Sequence, residues 1–574
     1  MLVPGRGLEP PRVTPYAPEA YASTNSAIPA LYQTSPIYHS PLAITIHFPF
    51  SLFHSILTGR GLYGSKPMPE DEKKQKQRNP PTGEPTPEEI YSLMTEAPTE
   101  KEKSCMARAF EFARKAHEGQ KRNSGEPYFF HVYEVGKNLA RLGMDAKTIA
   151  AGLMHDVLED TPTAEATMEK EFSKEIVSLV NGVTKLGKVK YKGKERHVES
   201  LRKFFMAVSE DVRILIIKLA DRLHNIQTLQ HVRPDKQKRI ALETIEIHAP
   251  LADRLGMGKL KGELEDYAFP YAFPKEYKQV EDLLKQRSVL SHTYLENVHK
   301  KLQKELALQG IKVIKTDYRI KHKYSLYKKL VFYKMDIEKI YDIVALRVIV
   351  PTVEDCYRVL GIIHALWKPL PGRIKDYIAL PKPNGYKSLH TTIFTGNGSD
   401  SVAEIQIRTE EMHREAEYGI ASHFLYKEAK NNSGKKLDEK LAWVNDLKEL
   451  QDLKGAPMQF LKHLKMDFFQ NRIFIFTPEG DVVDLPEDSS PIDFAYAIHS
   501  DIGNHASGAN INGKFSALHT KLKSADIVEI IVKKESHPTN KWMDFTKTTL
   551  AKKHIKQYLQ DNSLLNRFFG RSKF

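Results

Sequence analysis

Residues 403–409 read Ala-Glu-Ile-Gln-Ile-Arg-Thr, a strict alternation of apolar and polar side chains. A period of two belongs to a β-strand, so Glu404, Gln406 and Arg408 share one face and Ile405 and Ile407 the other. Residues 340–350, Ile-Tyr-Asp-Ile-Val-Ala-Leu-Arg-Val-Ile-Val, form a largely β-branched, apolar run that predicts a buried strand. Asp342 sits near its start, and a carboxylate there needs a partner, because burying it unpaired is costly.

Between the two runs lies Gly-Arg-Ile-Lys-Asp-Tyr-Ile-Ala-Leu-Pro-Lys-Pro-Asn-Gly-Tyr-Lys-Ser-Leu-His-Thr-Thr, residues 372–392. Arg373, Lys375, Lys382 and Lys387 concentrate positive charge, and Tyr377 and Tyr386 add flat faces. Asn384-Gly385 predicts a tight turn, since Gly tolerates the positive φ such turns use. Two carboxylates, Asp342 and Glu404, beside a basic aromatic loop point to Mg²⁺ with a nucleoside polyphosphate. A pair of structural salt bridges in a solvated basic region is the alternative.

These motifs resemble the synthetase domain of the RelA/SpoT family: Tyr341-Asp342, Arg373 to Ala379, Asn384 to His390, Glu404 to Thr409 and Met412 to Gly419. The resemblance implies an α/β nucleotidyltransferase-like domain over 309–440. Such a domain transfers pyrophosphate from ATP to the 3′-hydroxyl of GDP or GTP, giving (p)ppGpp. It assigns Asp342 to Mg²⁺ and Glu404 to the same ion or to deprotonation of the 3′-hydroxyl. Arg319, Lys321, Ser325 and Lys329 become ATP contacts. Tyr386 is to stack on guanine, with Lys382, Asn384, His390 and Gln406 lining the GDP/GTP site. Arg347, Lys375 and Arg408 are to steady phosphates or the fold. Arg373-Ile-Lys-Asp376 resembles the basic form of its motif, found in bifunctional members. Residues 395–401 and Ser422-His-Phe424 depart from the family pattern.

At 574 residues, with 41% hydrophobic and 28% charged residues, the chain is long enough for three or four globular domains. A net charge of +14 favours polyanionic partners. Only Cys105 and Cys356 are present, which excludes a disulfide framework and a Cys-rich zinc site and fits a reducing cytoplasm. No apolar run is long enough to span a bilayer, and neither a membrane nor DNA is among the expected partners. Residues 1–88, rich in Pro, Ser and Tyr, are expected to be disordered or a non-native extension, with Met68 an alternative start. A plastid transit peptide is a less favoured reading.

From Thr86-Pro87-Glu88-Glu89, a helix start with a capping-box pattern, apolar positions recur at helical spacing. His131 follows an aromatic run, His155-Asp156 are adjacent on a helix that Thr161-Pro162 should end, and Glu159 lies one turn on. Asp221, His224, Asn225 and Thr228 share a helical face. Two imidazoles and two carboxylates suit a first-row metal; a set of satisfied core residues is the alternative. The region resembles the HD-type (p)ppGpp hydrolase domain of the same family, all-α, over 89–270. That resemblance implies His131, His155, Asp156 and Asp221 as Mn²⁺ ligands. It assigns Glu159 and Asp160 to activating the water, and Arg122, Asn225 and Thr228 to the nucleotide. Asn123 and Val132 depart from the pattern.

Phe269-Pro270 and Phe273-Pro274 are expected to close the hydrolase. A charged helix from Tyr277 to Leu308, within a connector over 271–308, then links the two units mechanically. A helical linker is expected at 441–470. Residues 471–534 resemble a TGS domain, a small β-grasp unit whose His499 is the candidate contact to tRNA or a ribosome. A basic helical tail spans 535–574. The expected function is a bifunctional (p)ppGpp synthetase and hydrolase. The alternatives are a hydrolase-dominant enzyme with a weak synthetase and an RNA- or ribosome-associated regulatory binder.

Overall fold

The computed structural model describes residues 84–184, 210–340, 342–382, 384–395, 402–424 and 472–569. The expectations for residues 1–83, Tyr341, the 396–401 departure and the 441–470 linker lie outside the described residues.

The first part is helical. It comprises α1 (Pro87–Leu93), α2 (Glu100–Ala116), α3 (Phe129–Arg141), α4 (Ala146–Leu153), α5 (Val157–Asp160), α6 (Glu165–Glu171) and α7 (Lys174–Thr184). It continues with α8 (Arg213–Gln227), α9 (Pro234–Glu243), α10 (Ala249–Arg254) and α11 (Gly258–Ala272). A continuous core, including Phe110, Tyr133, Leu139, Leu153, Ile216 and Leu219, runs between them.

Three local expectations are corrected here. Thr86 does precede α1, but its side chain makes no cap bond. Glu89 turns instead to the Tyr133 hydroxyl at 2.5 Å and to the Lys137 ammonium at 2.5 Å, partners on α3 that outweigh a local box. The capping box that forms is one helix later, between Thr99 and Glu102. Second, His155-Asp156 is not within a helix; the chain breaks after Leu153 and restarts at Val157. Third, Pro270 does not stop α11, which runs through it to Ala272. Phe269 before it is fully buried among Tyr277, Tyr324 and Tyr327, and that packing outweighs the lost backbone bond. The break comes at Phe273, with Pro274 opening the next helix.

That helix, α12 (Pro274–Leu308), has 35 residues and starts three residues earlier than the periodicity suggested. After it come β1 (Lys315–Ile320), α13 (Lys323–Phe332), β2 (Val344–Val350), α14 (Val353–Leu366), β3 (Lys375–Asp376), β4 (Leu389–Phe394), β5 (Val402–Thr409) and α15 (Glu410–Tyr418). The sheet order is β1-β2-β5-β4-β3, with β2 and β5 parallel and the other pairs antiparallel. The alternation in β5 works as its period requires. Ile405 and Ile407 join Leu346, Val348 and Leu389 under α14 and the second half of α12, where Leu295, Val298, Leu302 and Leu306 are buried. Glu404, Gln406 and Arg408 face the other way.

Residues 472–532 form a hairpin of β6 (Arg472–Phe476) and β7 (Val482–Pro486) and a sheet ordered β10-β8-β9, from β8 (Ala506–Ile511), β9 (Lys514–Ser516) and β10 (Val528–Val532). A parallel bridge, Phe476 to Ile527, joins hairpin and sheet. After α15 comes the short α16 (Ala421–Phe424), and within this unit α17 (Pro491–Ile498) is capped by a Ser490–Asp493 box. The tail is two helices, Trp542–Phe545 and Thr549–Phe569, rather than one, because Asp493 captures the backbone N–H groups of Lys547 and Thr548 between them. Among the described residues no helix is long and apolar enough to cross a membrane.

Candidate functional site

The first cluster lies where α3, the α4–α5 turn and α8 meet. The ligand atoms of His131, His155 and Asp156 lie within 4.8 Å of one another. Asp221 Oδ1 adds to them, 3.2 Å from His131 Nε2 and 3.8 Å from His155 Nε2. Asp156 Oδ2 is 3.1 Å from His155 Nε2 and 3.5 Å from His131 Nε2. The break between α4 and α5 is what turns the His155-Asp156 pair inward, and α3 and α8 bring the other two residues from 24 or more positions away.

The donor set fits a divalent cation. His155 Nδ1–H donates to the Gly152 carbonyl at 2.8 Å, which fixes the tautomer and leaves Nε2 with a lone pair aimed into the cluster. That buried Nε2 makes no hydrogen bond. Burial pushes the His155 imidazole down, yet Asp156 and Asp221 outweigh it and hold the ring up at about 10. The upward pull of the two carboxylates marks the cluster as strongly negative, which suits a cation. Asp221 is also held by Lys218 at 2.7 Å and by the Asn225 amide at 2.5 Å.

Glu159 and Asp160 stand exposed at the solvent end of the cluster. Desolvation of the Glu159 carboxyl, with repulsion from Asp156 and Asp160, pushes it above the usual carboxylate range against the pull of Lys218. Arg122 reaches Asn225 Oδ1 at 2.6 Å and Thr228 Oγ1 at 3.2 Å, and all three line a cleft with Asp221, Lys218, Arg222 and His231. Three participants were given no role from the sequence, although His224 was placed there on the helical face of Asp221. Tyr128 Oη lies 2.8 Å from Asp156 Oδ2 and 2.9 Å from Asp160 Oδ2. His224 Nδ1 faces His131 Nδ1 at 2.8 Å. Lys218, one turn before Asp221, carried a signal too, its i, i+3 spacing to an acid.

The second site is a cleft of about 640 Å³ over the polar face of the sheet. Arg319, Lys321, Ser325, Lys329, Asp342, Lys382, Asn384, Tyr386, His390, Glu404 and Gln406, all singled out from sequence, line it together. The predicted turn is present: Gly385 has φ 79°, and its N–H donates to the Lys382 carbonyl at 2.7 Å. Asp342 is ion-paired with Lys321 at 2.5 Å and with Lys329. Burial raises the Asp342 carboxyl, but the two ammonium groups prevail and hold it down at about 2. Burial likewise raises Glu404, and His390 Nδ1 at 3.0 Å with the Gln406 amide at 2.9 Å brings it below the usual range. Two ionised carboxylates on one cleft wall fit a divalent cation shared with a polyphosphate.

Tyr386 donates or accepts a bond with His390 Nε2 at 2.8 Å, and Lys382 lies over its ring at 5.1 Å. Arg408 is buried beneath, with its Nε and Nη2 unbonded. Arg347, which also lines the cleft, is bound by Asp317 at 2.7 and 2.8 Å and by Glu417 at 2.9 Å, bonds that tie β2 to β1 and α15. In the third part, the exposed His499 accepts the Asp501 N–H at 3.2 Å as the cap of α18 (Ser500–Asn504).

The chain matches three family models: the HD domain over residues 109–258, the region found in RelA / SpoT proteins over 318–431, and the TGS domain over 473–532. It is 45% identical over 474 residues to the guanosine-3′,5′-bis(diphosphate) 3′-pyrophosphohydrolase of Aquifex aeolicus, covering 82% of this chain and 67% of that one. It is 45% identical over 457 residues to the GTP pyrophosphokinase of Myxococcus xanthus, covering 79% and 60%. With the bifunctional (p)ppGpp synthase/hydrolase SpoT of Escherichia coli it shares 42% over 457 residues, covering 79% and 65%. The chain thus spans about two thirds or less of the length of these relatives. The HD and RelA/SpoT regions imply use of divalent metal. Three domains in this order, with 42–45% identity over four fifths of the sequence, make the chain a member of the RelA/SpoT family.

Proposed function

We propose that the chain is a bifunctional enzyme of (p)ppGpp metabolism. It transfers pyrophosphate from ATP to the 3′-hydroxyl of GDP or GTP, and hydrolyses (p)ppGpp to GDP or GTP and pyrophosphate. The observation that carries this reading is the presence of two complete and separate polar sites, a four-ligand cluster on helices and a carboxylate-and-cation cleft on a sheet.

In the hydrolase, His131, His155, Asp156 and Asp221 would hold Mn²⁺, which would polarise the phosphate and acidify a water. Arg122, Asn225 and Thr228 bind the nucleotide, with Lys218 and Arg222 beside them in the cleft. Glu159, whose carboxyl titrates above the ordinary range, accepts the water's proton, and Asp160 orients it through Tyr128.

In the synthetase, Asp342 and Glu404 would hold Mg²⁺, which would neutralise developing phosphate charge. The lowered Glu404 carboxyl makes it a poor base and favours its role as ligand. Arg319, Lys321, Ser325 and Lys329 take ATP. Lys382, Asn384, His390 and Gln406 take the acceptor, with Tyr386 against guanine. Positioning and charge are most of what this transfer requires. One observation favours a hydrolase-dominant balance: Lys321 and Lys329 are engaged by Asp342, and Ser325 by Glu265 of α11. Two free cysteines, Cys105 and Cys356, suit a cytoplasmic setting. The TGS unit offers exposed His499 to tRNA or a ribosome, an interaction expected to weaken steeply with salt.

The test separates the sites. Asp156→Ala should abolish ppGpp breakdown with loss of bound metal and leave synthesis measurable; Glu404→Gln should do the reverse. Undiminished hydrolysis and metal content in Asp156→Ala would sink the assignment.

A further inference from the structure

One wall of the synthetase cleft does not come from the synthetase. Asp253, Lys261 and Glu265, on α10 and α11, line it with Arg319, Lys382 and Arg408. The seam that brings them there is closely built. The Asn384 amide donates to the Asp253 carbonyl at 3.3 Å, and Ile420 N–H to the Leu255 carbonyl at 2.8 Å. Glu265 takes Lys328 at 2.8 Å, and Asp266 takes His322 at 2.9 Å. Lys261 therefore has a fixed place in the cleft, its ammonium 3.0 Å from Asp253.

The charges around it call for an anion. The Arg408 guanidinium is buried with two of its nitrogens unbonded. A buried cation left so is costly unless a ligand supplies the acceptor. Burial, together with repulsion from Lys375, Lys261 and Arg319, pushes Lys382 down to about 8 despite Asp253. Burial and Arg319 push the Lys261 ammonium down as well, but Asp253 and Glu265 prevail and hold it above the usual lysine value, so it stays charged. Four cations from two domains thus converge with Asp253 and Glu265 as the carboxylates nearest Lys261.

We propose that Lys261 is a binding residue of the synthetase, contributed by the hydrolase-bearing helical domain, and that it takes the 5′-polyphosphate of the guanine nucleotide acceptor. The acceptor is favoured over the donor because Asp253, the partner of Lys261, also holds Asn384, and Lys382 lies alongside. The inference rests on the synthetase reading of this cleft.

Lys261→Met keeps the apolar stem and removes the charge. It should raise KM for GDP by about 10-fold or more, the loss expected of a charged hydrogen bond. KM for ATP, ppGpp hydrolysis and the thermal midpoint should stay at parent values, and Lys261→Arg should restore most of the affinity. Asp253→Asn, which removes the competing carboxylate, should lower KM for GDP. An ion pair that only braces the seam predicts loss in both Lys261→Met and Asp253→Asn, with a lower midpoint, and that result overturns the proposal. So does an unchanged KM for GDP, or a rise confined to ATP. A parent that neither binds GDP in equilibrium titration nor makes product overturns the synthetase reading itself, and the proposal with it.

Discussion

His131 shows how far a single residue's role depends on its neighbour. One ring nitrogen faces Asp156 and Asp221, and the other faces His224 across 2.8 Å. His224 thus orients His131, and neighbours of this kind commonly matter to metal affinity. His224→Ala should weaken Mn²⁺ binding by roughly 10- to 100-fold while the four proposed ligands remain; titration of metal-free protein measures it, and unchanged affinity would remove His224 from the site. His248 makes a different prediction. Burial and the Arg222 charge push its imidazole down to about 3, below the unfolded value near 6.5. The unfolded chain then binds the extra proton between these values, so stability rises with pH there. The contribution is complete above pH 6.5 and is lost as pH falls toward 3, roughly 2–3 kcal/mol by pH 4.5. Urea midpoints of His248→Phe should fall less between pH 6.5 and 4.5 than those of the parent; parallel curves would contradict this.

At the scale of elements, the seam between α15 and the α10–α11 turn brings two backbones into close contact. Gly419 ends α15 with φ 57°, and a Cβ there would stand 2.1 Å from the Leu255 carbonyl oxygen. Both the left-handed backbone and the contact exclude a side chain. Gly419→Ala should cost roughly 2 kcal/mol or more, read by chemical denaturation. A change below a few tenths would mean that the seam yields freely. The α12 helix is braced along much of its length, by Val280 in a cluster with α13 and by Leu295 to Leu306 on the sheet. It is therefore less a free lever than a strut.

For the molecule as a whole, running both activities at once would cycle ATP without product, so the two sites should oppose one another. Helix α11 gives the means. It packs on α8, which carries Asp221, and sends Glu265 and Asp266 to α13 of the synthetase. A rigid shared element can bias two arrangements, and each nucleotide need only prefer one. Coupling of this kind is worth about 1–3 kcal/mol, or roughly 5- to 150-fold. A non-transferable ATP analogue with GDP should slow ppGpp hydrolysis, and Glu265→Gln should relieve that suppression. Equal hydrolysis rates with and without those nucleotides would show independent sites. The TGS unit is tied to the same region, through Asp484 and Arg254 at 2.8 Å.

The sequence by itself determined whatever lies within one element. The two-residue period of β5, the turn at Asn384-Gly385 and the shared face of Asp221, Asn225 and Thr228 all follow from local geometry, whereas the roles given to the residues of both proposed sites came from the resemblance of their motifs to the RelA/SpoT family. The tertiary structure decided what depends on distant neighbours. It broke the helix at His155, carried α11 through Pro270 and drew Glu89 away from its cap, because buried packing and ion pairs outweighed local preference. It also set Lys261 in a cleft whose other cations lie 58 or more residues on, and no spacing along the chain could signal a charge that only the meeting of two domains brings there.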